Sequence, residues 1–259
     1  MDYSVQNASG DHPRSNTMDL EGKRALVTGA TSGIGRATAE ALGREGAIVL
    51  VSGRDERRGE EVVGAIVNAG GEAELLPGDL SSPEGVAKVI EQAGKVDILV
   101  NNAGVFPGGP THEIEEDMFD EAFAVNVKAP FFLTAAFAPR MAERGHGAIV
   151  NVTTMVAEFG MPGLSVYGAS KAATALLTKA WAAEYGPDGV RVNAVSPGPT
   201  RTPGTEAMGD GFAQIVDTIP LGRAASPDEI AQAIVFLASD RASYLNGAVV
   251  PVDGGRLAV

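Results

Sequence analysis

Arg24-Ala25-Leu26-Val27-Thr28 has the character of a buried strand. It passes without a spacer into Gly29-Ala30-Thr31-Ser32-Gly33-Ile34-Gly35 and then into a helix-like run, 35–44. No other segment restricts the fold as much, because the turn forces the helix back beside the strand it follows. Gly29 permits the tight turn, Gly33 lets the backbone approach a ligand closely, and Gly35 lets helix and strand pack tightly. The spacing is G-x-x-x-G-x-G, not the general G-x-G-x-x-G. The chain has 33 glycines, so the flanking strand and helix carry the meaning, and in that context the turn reads as a cradle for a dinucleotide pyrophosphate. The N–H groups at such a helix start meet phosphate, with Thr31, Ser32 and Ile34 beside them.

The same alternation continues along the chain. Strand-like runs fall at 24–28, 47–52, 73–76, 96–100, 148–152, 190–195 and 248–252, and helix-like runs near 35–44, 56–69, 83–93, 115–143, 167–185, 206–217 and 227–238. This predicts an α/β chain with one doubly wound parallel sheet of the Rossmann type, about seven strands, with helices on both faces. No linker separates two domains. Residues 19–259 are expected to form the single domain, preceded by a polar, flexible leader over 1–18 with no chemistry of its own. Ligands in such sheets bind beyond the carboxyl ends of the strands. The glycine turn, Asp79, the run Asn101-Asn102-Ala103-Gly104, Thr154 and Pro197-Gly198 each follow an expected strand.

Tyr167-Gly168-Ala169-Ser170-Lys171 places a phenol and an ammonium one helical turn apart on one face. A fixed ammonium beside a phenol favours phenolate and moves its pKa from about 10 toward working pH, where it can exchange a proton with a substrate.

Composition closes other routes. Without cysteine there is no disulfide, thiolate metal site or cysteine nucleophile, which suits a cytoplasmic protein. A net charge of −13 repels nucleic acid and anionic membranes. No apolar run approaches the ~18 residues of a membrane span. His12, His112 and His146 lack metal-ligand spacing. Phe119, Phe123, Phe131, Phe132 and Phe137 along 115–143 are expected to lie mostly in the core. The stretch 199–222, interrupted by seven prolines and glycines, reads as a lid over a substrate.

Over roughly 19–255 the chain resembles the short-chain dehydrogenase/reductase family. The resemblance rests on Thr28-Gly29-x-x-x-Gly33-Ile34-Gly35, Asp79-Leu80, Asn101-Asn102-Ala103-Gly104, Asn126, Tyr167 with Lys171, and Pro197-Gly198 with Thr202. It implies reversible hydride transfer between a nicotinamide and a ketone or secondary alcohol, with a pattern similar to 3-oxoacyl-acyl-carrier-protein reductases; the alternatives are an NAD-dependent alcohol or sugar dehydrogenase of the same family, or a dinucleotide-binding regulator without catalysis. It implies that Tyr167 exchanges the proton and that Lys171 also holds the nicotinamide ribose. Asn126 would hold a water leading from Lys171 to solvent, Asp79 and Leu80 would meet adenine, and the loop with Thr200 and Thr202 would hold the carboxamide. The family usually carries serine thirteen residues before the tyrosine. Here Thr154 stands there, keeping the hydroxyl and adding a stiff methyl. Ser165 lies too close to Tyr167 to replace it. Pairing of subunits through the 115–143 and 167–185 helices, usually in tetramers, is implied as well.

The second strand ends at Gly53-Arg54-Asp55. Gly53 offers no carboxylate for a ribose 2′-hydroxyl, whereas Arg54, with Arg57 and Arg58 nearby, can meet a 2′-phosphate. NADP(H) is therefore expected, with NAD(H) as the alternative if Asp55 turns inward. The expected partners are a small carbonyl or alcohol, or an acyl thioester. For an acidic carrier protein, Arg140 and Arg144 are the candidate docking cations.

Overall fold

The computed structural model describes residues 19–259; the expected leader lies outside them. Strands β1 (Arg24–Thr28), β2 (Ile48–Gly53), β3 (Glu72–Pro77), β4 (Ile98–Asn101), β5 (Gly147–Val152), β6 (Val190–Pro197) and β7 (Val249–Val252) form one sheet ordered β3-β2-β1-β4-β5-β6-β7. Every pairing is parallel. Helices α1 (Gly33–Arg44), α2 (Glu56–Asn68), α3 (Pro83–Ala93), α4 (Glu116–Phe123), α5 (Ala129–Glu143), α6 (Ser165–Tyr185), α7 (Pro203–Glu206), α8 (Asp210–Val216) and α9 (Pro227–Ala238) complete it.

The period of two in the strands assigns the layers. Val27, Val49, Val100 and Val150 face α1, α2 and α9. Their neighbours Leu26, Leu50, Leu99 and Ile149 face α3, α5 and α6. These four are at most 1% exposed, and each such burial contributes about 2 kcal/mol. The edge strands differ. β3 alternates exposed and half-buried residues until Leu76, and Pro251 sits in β7, where a missing N–H costs no central ladder bond.

Helix starts follow local signals. Ser82 caps α3 ahead of Pro83, and Ser226 caps α9 in a reciprocal box with Glu229. The cleft lies where the strand order reverses, between β1 and β4, at the carboxyl ends of the strands.

Four expectations are corrected here. The 115–143 run is one helical stretch only with a π turn, Ala124–Lys128, joining α4 to α5. Its phenylalanines are not mostly core. Phe137 is 1% exposed, but Phe119, Phe131 and Phe132 are 43–49% exposed, because the stripe of α5 that meets the sheet runs through Leu133, Phe137 and Met141. Glu116–Glu143 is also long and apolar enough to cross a bilayer by length and composition, although half of that window is buried in this fold. The expected helix 206–217 is two pieces, α7 and α8, broken at Gly209 with φ of +56°.

Candidate active site

At the carboxyl end of β5 the chain turns sharply. Thr153 fixes the turn by donating its Oγ1 hydrogen to the Val195 carbonyl at 2.8 Å. Thr154 follows, 7% exposed, its Oγ1 accepting from the Val156 N–H at 3.3 Å. α6 begins at Ser165, so Tyr167 lies in its first turn and Lys171 one turn further along. Ser165 is exposed and faces Thr111 instead.

Burial raises the pKa of the Tyr167 phenol above its ordinary value and outweighs the opposite, lowering effect of the nearby Thr154 hydroxyl. Lys171 is 4% exposed. Its Nζ donates to the Val152 carbonyl at 2.8 Å, and burial lowers its pKa to about 8. The expected drift of Tyr167 toward phenolate is thus absent from this arrangement. Desolvation disfavours the charged form of both groups, yet with a pKa of about 8 Lys171 remains an ammonium at neutral pH, turned to a carbonyl. A protonated phenol is the form able to donate.

Asn126 sits in the π turn, fully buried. Its Oδ1 accepts from the Val105 N–H at 2.9 Å, and its Nδ2 donates to the Val105 carbonyl at 2.8 Å and to Ser170 Oγ at 3.0 Å. Its carbonyl accepts from Thr174 at 2.8 Å. The side chain therefore pins the loop after β4 against α6. A buried polar chain continues through Thr178, Asn151 and Asn101. Sequence reading singled out Asn101 but missed Thr174 and Thr178. Their signal was the polar stripe Ser170, Thr174, Thr178, four residues apart on a helix otherwise rich in alanine.

Thr154, Tyr167 and Lys171 line a cavity of about 220 Å³ together with Pro197, Gly198, Thr200 and Thr202. Its outer wall comes from Phe106, from the 155–164 loop, and from Met208, Phe212 and Ile215, so the 199–222 stretch does cover it. Phe106 meets the Tyr167 ring edge-on at 6.3 Å. Thr202 caps α7 and is bonded to Thr205.

Ile34, Asn102, Gly104, Phe106 and Thr202 are shared with a second cavity of about 350 Å³ along the glycine turn. Gly29, Thr31, Ser32, Gly33, Gly35, Ala103 and Leu80 line it. A Cβ on Gly35 would stand 2.2 Å from the Gly29 carbonyl oxygen, and one on Gly29 2.8 Å from Ala103 Cα. Asn102 welds the turn to β4, its Nδ2 donating to the Thr28 carbonyl at 2.8 Å. Ser32 precedes α1 without capping it, so that helix start meets the cleft with no side chain upon it.

At the far end lie Arg54 and Asp79. The Ser81 N–H and hydroxyl bond the Asp79 carboxylate and, with Arg54, hold its pKa below the usual range against the opposing effect of burial. Asp55 also lines this cavity, but its carboxylate is engaged within α2. It caps α2, accepting from the Arg58 N–H at 2.9 Å and from Arg58 Nε at 2.6 Å. Arg54 is 62% exposed and has only a 4.0 Å approach to Glu121.

Arg144 is spent inside the fold on the Val96 carbonyl at 2.7 Å and on Asp97, which removes it as a docking cation. Arg140 is exposed, as are His112 and His146; His12 lies outside the described residues.

Comparison with known proteins agrees with this geometry. The family described as Enoyl-(Acyl carrier protein) reductase matches residues 29–256. The chain is 40% identical over 250 residues to the 3-oxoacyl-[acyl-carrier-protein] reductase FabG of Thermotoga maritima, covering 92% of this chain and 99% of that one. A solved short chain dehydrogenase/reductase family protein superposes with a TM-score of 0.89 at 51% identity, covering 93% of this chain and all of the other. A gluconate 5-dehydrogenase from Burkholderia cenocepacia, in complex with NADP and tartrate, superposes with a TM-score of 0.88 at 32% identity over 94% of this chain and 98% of its own. The chain belongs to the short-chain dehydrogenase/reductase family and is an oxidoreductase acting on CH–OH groups.

Proposed function

We propose that the protein is an NADP(H)-dependent reductase of ketones, reversible to secondary-alcohol oxidation. The observation that carries the reading is that Tyr167, Thr154 and Lys171 line one cavity opening into the glycine-turn cleft. The cleft fits a dinucleotide: α1 starts uncapped, and any side chain at Gly29 or Gly35 would fill the space its backbone approaches. Gly29 to Gly35, Asp79, Leu80, Asn102, Ala103 and Gly104 would hold it, with Pro197, Gly198, Thr200 and Thr202 at the nicotinamide end. When bound, the nicotinamide supplies or takes up hydride.

The chain's own residues manage the oxygen. The Tyr167 phenol gives its proton to the carbonyl oxygen in reduction and takes it back in oxidation. The Thr154 hydroxyl donates to the same oxygen as negative charge develops there. Lys171 is the cation that stabilises the phenolate left behind. Asn126 acts as a positioning residue, holding the loop after β4 against α6. The NADP choice is supported by Asp55, whose carboxylate is engaged with Arg58, and by Arg54, which borders the cleft.

Oligomer formation belongs to the same reading, supported by exposed Phe119, Phe131, Phe132 and Leu176 on α4, α5 and α6. Light scattering at defined concentration tests it. Cytoplasmic residence is tested by fractionation.

Incubation with NADPH and a ketone panel tests the reaction. Tyr167→Phe is expected to bind the dinucleotide normally and to lose at least ~10²-fold in turnover. A variant within about tenfold of the parent would remove Tyr167 as the acid.

A further inference from the structure

The outer wall of the 220 Å³ cavity is formed by Phe106, Met155, Val156, Met161, Leu164, Met208, Phe212 and Ile215, without a polar side chain among them. Apart from Thr153, Thr154, Tyr167 and Lys171 at the reacting end, the polar lining residues, Asn102, Thr200, Thr202 and Thr205, sit on the side shared with the glycine-turn cleft or on the loop leading from it. Among the described residues, Lys171 is the one charged group in the lining, and its Nζ is already bonded to the Val152 carbonyl. Arg256 touches the same loop, but its guanidinium is turned onto the Phe159 ring, 4.7 Å from the centroid, and lines neither cavity.

An anionic group carried by a substrate would therefore give up part of its hydration to apolar side chains here and gain no free cation. A carboxylate desolvated without a partner is strongly disfavoured, and the −13 charge of the whole chain adds long-range repulsion. Three of the wall residues are methionines, whose unbranched side chains adapt to different outlines.

We propose that this site takes neutral ketones flanked by hydrocarbon, with wide tolerance of shape and little tolerance of negative charge, so that sugar acids and other keto acids are excluded. The inference rests on the proposed reductase reading for the place of the carbonyl, and on the wall alone for the rest. Met161, half-buried at the wall, is the specificity position singled out. An arginine there could lay its stem along the apolar surface and bring its guanidinium to a substrate carboxylate.

The test separates binding from chemistry. Calorimetry measures methyl 4-oxocyclohexanecarboxylate and free 4-oxocyclohexanecarboxylate against the protein saturated with NADP⁺, and with NAD⁺ in parallel. An oxidised dinucleotide cannot reduce a ketone, so the complexes are inert. The two ligands share ring and ketone and differ mainly in charge. The ester is expected to bind about 100-fold more tightly than the acid, a difference of about 3 kcal/mol. Met161→Arg is expected to bring the two within about tenfold, while Met161→Gln, the neutral control for folding, keeps the gap.

Equal or tighter binding of the acid by the parent overturns the proposal. So does failure of both ligands to bind at millimolar concentration, or a gap that Met161→Arg leaves unchanged. If the ester binds as expected but is not reduced with NADPH or NADH, the charge selectivity stands and the reductase reading fails.

Discussion

Lys171 is a lysine held where a lysine is costly, and the cost can be measured. Its pKa falls from 10.5 to about 8 because the ammonium is buried. At about 1.4 kcal/mol per pH unit, the protonated side chain makes the dinucleotide-free protein about 3 kcal/mol less stable than a neutral amine would. Below about pH 8 both native and unfolded chains carry the proton, and the whole cost is present. Between about pH 8 and 10.5 the native chain releases the proton while the unfolded chain keeps it. The unfolded state then binds more protons, and stability rises with pH. Above about pH 10.5 both are neutral and the cost is gone.

Lys171→Met keeps an unbranched chain and removes the charge. It also leaves the Val152 carbonyl, now paired at 2.8 Å, without that donor, a loss of about 1 kcal/mol. The variant should therefore be about 2 kcal/mol more stable than the parent at pH 7, with the advantage nearly gone by about pH 9.5. Urea unfolding of both proteins without dinucleotide, at equal protein concentration, reads this directly. The same variant should lose ketone turnover. A difference between the two proteins that stays constant from pH 7 to 9.5, or a variant less stable than the parent at pH 7, would refute the argument that Lys171 is desolvated. The cost itself is what a functional cation, as opposed to a structural one, predicts.

Other perturbations probe the rest of the site. Thr154→Ser should retain ketone reduction, because the hydroxyl remains, while Thr154→Ala should lose ~10²-fold in kcat; an active alanine variant would make Thr154 structural only. Arg54→Ala should lower kcat/KM for NADPH by about 10- to 100-fold and leave NADH unchanged, the scale of one charged hydrogen bond; unaltered NADPH use would show that the guanidinium does not meet the 2′-phosphate. Gly35→Ala forces a Cβ to within 2.2 Å of the Gly29 carbonyl oxygen and 2.4 Å of Asn102 Nδ2. It should cost about 1–3 kcal/mol, visible as a lower Tm, and weaken dinucleotide binding. Normal binding would mean that the turn can open without loss.

Much was determined by sequence alone, for a physical reason. The parallel sheet was legible because strands covered on both faces must be apolar almost throughout, as Ile48–Gly53 is, and because the helices between them start with local signals such as Ser82-Pro83 and Ser226-Pro227. Glycines that must lack a Cβ, and a phenol one turn before a lysine, were likewise visible, since turn geometry and helical period are local properties. Tertiary structure decided what depends on neighbours distant in sequence. Phe131 and Phe132 looked like core because they are large and apolar, but the rotation of α5 against the sheet leaves them outside. Arg144 looked available until Asp97 and the Val96 carbonyl were brought against it. Asp55 was free to point either way until Arg58 engaged it. The protonation of Tyr167 and Lys171 follows from burial by a wall assembled from the loops after β4, β5 and β6, and no spacing within one segment can report what the other two remove from water.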